Sequence, residues 1–253
     1  TTLSVKALAV SGADYSRAHV RHPQKIANWL LGQQYLRVHP YTNTPPGGWA
    51  WTDLPGGVPD ADDTSGALIA LSVIAGKTPN KKFIASAEKG IAWLLNLQNS
   101  DGGVPTFCRG WGAMPFDRSS PDITAHCIRA WDQWHDCIDP VIMSRVEIST
   151  ERALDYLRRN QFFDGSWAPL WFGNQDLRNE NNLTYGTSQV VLALVQLRDR
   201  YKTTVTGILE ETIRWLEAAQ NEDGGWGGGM RTAPCSIEET ALAVDALLAA
   251  VGG

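Results

Sequence analysis

Ile213-Arg214-Trp215-Leu216-Glu217-Ala218-Ala219-Gln220-Asn221, running into Asp223-Gly224-Gly225-Trp226, shows the grammar that organises the whole chain. It reads as the end of an amphipathic helix carrying an aromatic, then Gln, then a Gly-rich turn closed by Trp. The same grammar occurs three more times. Ile26 to Gln34, with Trp29, leads to Gly47-Gly48-Trp49, and Ile91 to Asn99, with Trp93, leads to Asp101-Gly102-Gly103. Ala153 to Gln161, with Tyr156, leads to Asp164-Gly165-Ser166-Trp167. The four aromatics recur roughly every 60 residues, and self-similarity at a near-fixed period marks a repeat architecture.

After each turn comes a second, more apolar segment: Asp63 to Ile74, Asp122 to Trp134, Tyr185 to Leu197 and Ile237 to Ala250. With few charges these helices should be buried on most sides, whereas the first helices are one-faced. Alternating half-buried and buried helices is what the outer and inner rings of an α/α barrel require. The Gln and Trp are expected to lock each helix end to the next turn through amide hydrogen bonds and ring stacking. Alternating β-branched residues are nearly absent, which argues against strands. With the leading apolar piece Leu3 to Val10, the four pairs make about nine helices, short of a closed ring of six pairs. The expected fold is all-α, an incomplete α/α toroid within one domain spanning residues 1–253.

An apolar content of 43% supports a buried core, and a formal charge of −5 gives no electrostatic footprint for nucleic acid. Cys108, Cys127, Cys137 and Cys235 form no Cys-x-x-Cys pair, so they read as reduced thiols in a cytoplasmic setting. Neither a signal pattern nor an apolar run of about 18 residues is present, so no bilayer-spanning helix is expected. Peripheral contact with the cytoplasmic membrane needs only an exposed apolar patch and stays open. His19, His22 and His39 lie in a polar, Pro-bearing stretch and read as loop residues. Gly224 to Gly229 follows a helix rather than a strand, so it is no phosphate cradle.

Val58-Pro59-Asp60-Ala61-Asp62-Asp63-Thr64 crowds three carboxyl groups into four residues, just before the apolar segment Gly66 to Ile74. Three like charges so close cannot all ionise cheaply once water is excluded, so one pKa should rise. A carboxyl kept protonated at neutral pH is a Brønsted acid. Asp is also favoured at helix N-caps, so the run by itself reads equally well as a solvated helix start. Asp122 stands four residues before His126, one helical turn away, where it can orient or charge the imidazole.

The repeats and the Asp-x-Asp-Asp run together resemble the squalene-hopene cyclase family of class II terpene cyclases, over nearly the whole chain. Pro46-Gly47-Gly48-Trp49-Ala50-Trp51, followed by Pro59 to Thr64, resembles the segment carrying that family's catalytic acid. Phe107-Cys108, then Pro121-Asp122-Ile123-Thr124-Ala125-His126, resembles the segment that supplies its histidine. Asp164-Gly165-Ser166-Trp167, Trp171 and Tyr185-Gly186-Thr187 resemble the next repeat, whose aromatics line the cavity. The resemblance implies Asp62 as the acid, Asp60 and Asp63 as groups that raise its proton affinity, and His126 as its hydrogen-bonding partner, oriented by Asp122. It implies a linear isoprenoid substrate, squalene by default, and Trp51, Trp171 and Tyr185 as aromatic lining. Ring faces stabilise a carbocation by about 0.5–2 kcal/mol each and offer no lone pair to trap it. No metal and no cofactor are implied, because the reaction starts from an acid.

Trp93, Trp215 and Trp226 read as repeat stitching, while Trp111 and Trp131 have no assigned place. The chain departs from the family in a longer connection between Trp171 and Tyr185. It departs again in a shorter Gly103–Ser120 stretch, which lacks an aromatic that hopene-forming members place near the acid. Full members are more than twice as long and carry a second α/α domain. Protein prenyltransferase β-subunits share the barrel but need an Asp/Cys/His zinc site, and Cys127 beside His126 has no suitable third ligand. Two other functions fit the same residues. One is a diterpene cyclase acting on geranylgeranyl diphosphate, with basic residues and often magnesium for the diphosphate. The other is a truncated or split piece, inactive alone, whose exposed seam a homodimer partner or complementing domain would cover.

Overall fold

The computed structural model of the chain describes residues 2–10, 23–108, 118–232 and 234–252. His19, His22 and Trp111 lie outside them. Among the described residues there are nine α-helices: α1 (Thr2–Val10), α2 (Pro23–Gly32), α3 (Ala61–Ala75), α4 (Lys81–Leu97), α5 (Pro121–Trp134), α6 (Pro140–Asn160), α7 (Leu183–Leu197), α8 (Lys202–Ala219) and α9 (Ile237–Val251). Strands are confined to two-residue pieces, of which β1 (Trp49–Ala50) pairs antiparallel with β2 (Pro59–Asp60). The helices α2 and α3, α4 and α5, α6 and α7, and α8 and α9 are the four expected pairs. The chain packs as two compact units. Unit 1 holds Thr1–Asn99, Val104–Arg118 and Arg129–Ser149; unit 2 holds Ser100–Gly103, Ser119–Ile128 and Thr150–Gly253.

In unit 1, α3 is the buried helix, enclosed from Thr64 to Leu71 and packed by α1, α2 and α4. The turn before it is clamped by Trp49. Its indole Nε1 donates to Leu30 O of α2 at 2.8 Å, and its backbone N–H donates to Thr64 Oγ1 of α3 at 2.9 Å. Carbonyls in the last turn of a helix have no partner within the helix, and the indole joins the Gln33 N–H, at 3.2 Å, in satisfying Leu30 O. Gln34 Nε2 adds bonds to Gly47 O at 2.8 Å and Ser86 O at 2.9 Å, and Trp93 Nε1 donates to Pro45 O at 3.1 Å.

Unit 2 repeats the device twice. Trp167 Nε1 donates to Leu157 O at 2.9 Å and its N–H to Thr187 Oγ1 at 3.0 Å. Trp226 Nε1 donates to Leu216 O at 2.8 Å and its N–H to Thr240 Oγ1 at 3.0 Å. Gln161 and Gln220 donate to Gly165 O at 3.0 Å and Gly224 O at 2.8 Å, closing their own turns. Trp215 Nε1 reaches Asp164 Oδ2 at 3.1 Å. Hydrogen bonds thus perform the stitching. Trp131 is fully buried in unit 1.

The second helices α3, α5 and α7 are buried, but α9 corrects the expectation. Only Glu239, Ala243 and Ala246 are buried on it. Ile237, Ala241, Val244, Leu248 and Val251 form an exposed apolar stripe, with Ile237 92% and Val251 85% exposed. The reason is local: α7 and α8 pack against one side of α9, and nothing among the described residues covers the other. The contrast extends to the turns. Gly102, at φ +92°, lies so close to α6 that a Cβ would fall 2.3 Å from Arg152 O, whereas Gly224, at φ +88°, faces open space.

A matched pair of substitutions separates backbone strain from packing. Gly102→Ala and Gly224→Ala share a left-handed backbone that costs a side chain about 1–3 kcal/mol. Gly102→Ala adds a clash with the α6 backbone, so chemical denaturation should show it less stable than Gly224→Ala by about 1–3 kcal/mol. Equal losses would mean that this turn is not held against α6.

Candidate functional site

The acid run sits where β2 feeds α3, in unit 1. Asp60 opposes Trp49 in the β1–β2 register and bridges to Phe107, and the next residue, Ala61, donates its N–H to Thr106 O at 2.8 Å. This fixes the backbone of Asp60, which is only 4% exposed. Asp60 is the N-cap of α3, with Oδ1 accepting the Asp63 N–H at 2.7 Å. The cap reading therefore holds for Asp60, and it does not exhaust the group's chemistry. Burial above all, then the Asp63 charge and a side-chain hydrogen bond to Asp63, push its carboxyl well above the usual range. Asp63 is also raised, by burial first and by the Asp62 charge, against a hydrogen bond from Asp60 that pulls it down. Two carboxyls joined by a hydrogen bond need one proton between them, and these directions put it on Asp60.

Asp62 follows in the first turn of α3 and is part-buried. In its ionised form it repels both neighbours and attracts Lys6 of α1, the helix packed on α3. Burial and then Arg129 bring the Lys6 ammonium down to about 8, with Asp62 opposing them. A second feature of unit 1 is an open cleft of 190 Å³ lined in part by Trp29, Trp49, Trp51, Asp53, Asp63 and Ala67. It brings together two of the sequence-derived candidates, Asp63 and Trp51. It adds Trp29, which the sequence presents only as a repeat aromatic. The cleft is smaller than the roughly 300–1,000 Å³ of ordinary ligand pockets.

Unit 2 carries the other candidates. Asp122, 2% exposed, opens α5 and receives a hydrogen bond from Ser120 Oγ, which in turn accepts the Leu170 N–H at 3.0 Å. Asp122 is thereby linked through Ser120 to the chain immediately before Trp171. His126 lies one turn further along α5 and is part-buried. Burial, then the charges of Asp101 and Asp122, push the Tyr156 hydroxyl far up. Tyr185, in the first turn of α7, stacks on Phe172 with ring centroids 4.9 Å apart and planes 27° from parallel. Trp171 beside it is 39% exposed. Phe172 was missed as a candidate, although an aromatic adjoining Trp171 was the available signal. His39 belongs to a turn, as expected, but is buried, with Nε2 3.0 Å from Gly57 O. Among the described residues no His, Cys, Asp or Glu group is arranged to hold a metal, and no helix is long and apolar enough to cross a membrane.

Comparison with known proteins bears on the same residues. Residues 1–250 match the family model described as the squalene-hopene cyclase C-terminal domain. A squalene-hopene cyclase of Bradyrhizobium diazoefficiens is 26% identical over 277 aligned positions, covering 99% of this chain and 39% of that protein. The squalene-hopene cyclase of Alicyclobacillus acidocaldarius is 31% identical, over 77% of this chain and 30% of that protein. The chain thus spans about two-fifths or less of these relatives' length. Among solved structures, the type II terpene cyclase MstE from Scytonema superposes with a TM-score of 0.59 at 18% identity, over 92% of this chain and 59% of that one. That likeness shows the fold: all-α, of the α/α-toroid type.

The proton held by Asp60 has a measurable consequence. A carboxyl whose folded pKa lies above its unfolded value costs nothing below the unfolded pKa, near 4, and destabilises the fold increasingly as pH rises through the folded value. Lys6, lowered to about 8, is charged in both states below that pH and does not contribute between pH 4 and 7. Asp60→Asn keeps the cap oxygen and supplies a permanent donor to Asp63. Denaturant unfolding should show wild type losing on the order of 1–3 kcal/mol more than Asp60→Asn between pH 4 and 7. Parallel curves would place the proton elsewhere.

Proposed function

Because the chain belongs to the squalene-hopene cyclase C-terminal domain family, we propose that it forms part of a class II terpene cyclase acting on squalene or a similar linear isoprenoid. In this reading Asp62 protonates the terminal alkene. The alkene π pair takes the Asp62 proton, a C–H bond forms, the O–H bond breaks, and a tertiary carbocation is left beside a carboxylate. Further alkenes attack in turn until a final proton is lost. The observation that supports this most is the crowding of Asp60 and Asp63 around Asp62 at the start of α3, where Asp60 is buried at the N-cap and both carboxyls are pushed above their usual range. Either neighbour, when ionised, raises the proton affinity of Asp62, and a simple alkene requires an acid kept in un-ionised form.

His126, oriented by Asp122, is proposed to hold the Asp62 carboxyl and then its conjugate base. Trp51, Trp171 and Tyr185 are proposed as the ring faces past which the positive charge migrates. The exposed stripe on α9 supports a cavity completed by a complementing domain or a second copy, because an apolar stripe of that length is costly in water. Peripheral contact with the cytoplasmic membrane would supply a substrate that water does not dissolve.

The test is Asp62→Asn in the complete enzyme, with squalene and geranylgeranyl diphosphate offered side by side and products analysed. Turnover of squalene should fall by at least about 10²–10⁴-fold, the range removed with a general acid, while the unfolding midpoint stays within error. Retained turnover would remove Asp62 from the role. Turnover of the diphosphate alone would reassign the substrate.

A further inference from the structure

The segment between Trp171 and Tyr185 is tied at two points to one carboxyl group. Glu239, in the first turn of α9, is 5% exposed. Its Oε1 accepts from Asn174 Nδ2 at 3.0 Å and from Asn182 Nδ2 at 2.8 Å. Both asparagines are themselves buried, at 7% and 4% exposure. Ser236 and Glu239 have the spacing of a capping box, in which the glutamate would return to the Ser236 N–H. That N–H instead donates to Trp226 O at 3.0 Å, leaving the Glu239 carboxyl to the loop.

Each asparagine passes the constraint on. With Nδ2 committed to Glu239, Asn182 turns Oδ1 to the Tyr185 N–H at 3.0 Å and caps α7. Asn174, two residues after Phe172, accepts the Asp176 N–H on Oδ1 at 2.9 Å and donates its own N–H to Glu180 O at 3.0 Å. Leu183 N–H to Gly228 O at 2.7 Å and Thr184 Oγ1 to Gly227 O at 2.6 Å fasten the same stretch to the turn before α9. One arm therefore fixes the backbone that carries Tyr185, and the other fixes the backbone that carries Phe172. These are the two rings that stack.

We infer that Glu239 is a positioning residue that holds the Phe172–Tyr185 ring pair in register by binding Asn174 and Asn182 at once. Its effect on products rests on the cyclase reading above; its effect on the loop does not. A buried acceptor that serves two donors leaves both unsatisfied when removed, so the loss is cooperative and local. In a cyclase the consequence is a wall whose rings no longer stand where the migrating cation needs them, and cyclisation stops early.

Hydrogen exchange read by mass spectrometry on the full chain tests the inference with Glu239→Ala and Glu239→Gln. In Glu239→Ala, amides of residues 171–185 should exchange about 10-fold faster or more, with α8 unchanged. Glu239→Gln retains an Oε1 that can accept both bonds and should stay close to wild type. Unchanged loop exchange in Glu239→Ala, or equal acceleration in α8, would overturn the inference. In the complete enzyme, Glu239→Ala should raise the ratio of early-terminated to fully cyclised products about threefold or more, and Glu239→Gln should restore it; an unchanged ratio overturns the effect on products. Should wild type turn over no isoprenoid at all, the cyclase reading fails, and the exchange result alone decides the role of Glu239.

Discussion

The carbonyls at the end of each first helix have no partner within the helix, yet the chain must reverse at that point against a packed neighbour. A single tryptophan resolves this at three of the four turns. Trp49, Trp167 and Trp226 each give the indole N–H to the first helix of a hairpin and the backbone N–H to a threonine of the second. One residue therefore sets the spacing between the two helices. At the fourth turn Val104 stands in the tryptophan position and has no indole to give. There Asp101 Oδ1 accepts the Gly103 N–H at 2.9 Å and the Ser119 hydroxyl at 2.8 Å. A hairpin built this way is nearly self-contained, and a chain of such hairpins gains stability from each hairpin and its neighbours rather than from one central core.

The same clamp places the acid run. Trp49 opposes Asp60 in the short ladder, so the residue that ties down the turn also fixes the backbone entering the acid run. Capping and proton storage were alternatives on the sequence. In the structure Asp60 does both, because the Asp63 N–H and the Asp63 carboxyl approach it together. The cap holds the carboxyl away from water, and the loss of water raises its pKa.

The repeat was legible because it is written in local chemistry: Gln, Gly and Trp at fixed offsets, with a change of apolar period on either side. The second helices start within a couple of residues of where the pattern puts them. What local chemistry cannot report is what lies on the far side of a helix. Ile237, Val244 and Leu248 read as buried, and α9 leaves them exposed. Trp29 has the register of Trp93 and Trp215, but those two bond to a preceding turn while Trp29 lines a cleft. The grammar is the same in all three, and it does not say which partner each ring meets. Phe172 and Glu239 were hidden for another reason. Their partners lie across a connection whose course no periodicity describes.

Two buried carboxyls in this chain meet the cost of burial in opposite ways. Asp60 is surrounded by other acids and one backbone N–H, and its carboxyl is pushed toward the protonated form. Glu239 is surrounded by side-chain amides, so it serves as an acceptor and its influence on Phe172 and Tyr185 is one of geometry. A buried acid is therefore not by itself a sign of catalysis; the donors around it decide which use it has. An enzyme that must deliver one proton and then protect the cation it makes needs both uses. Rigid rings are of no value without a proton to start the reaction, and a proton without rigid rings yields a cation that is lost early.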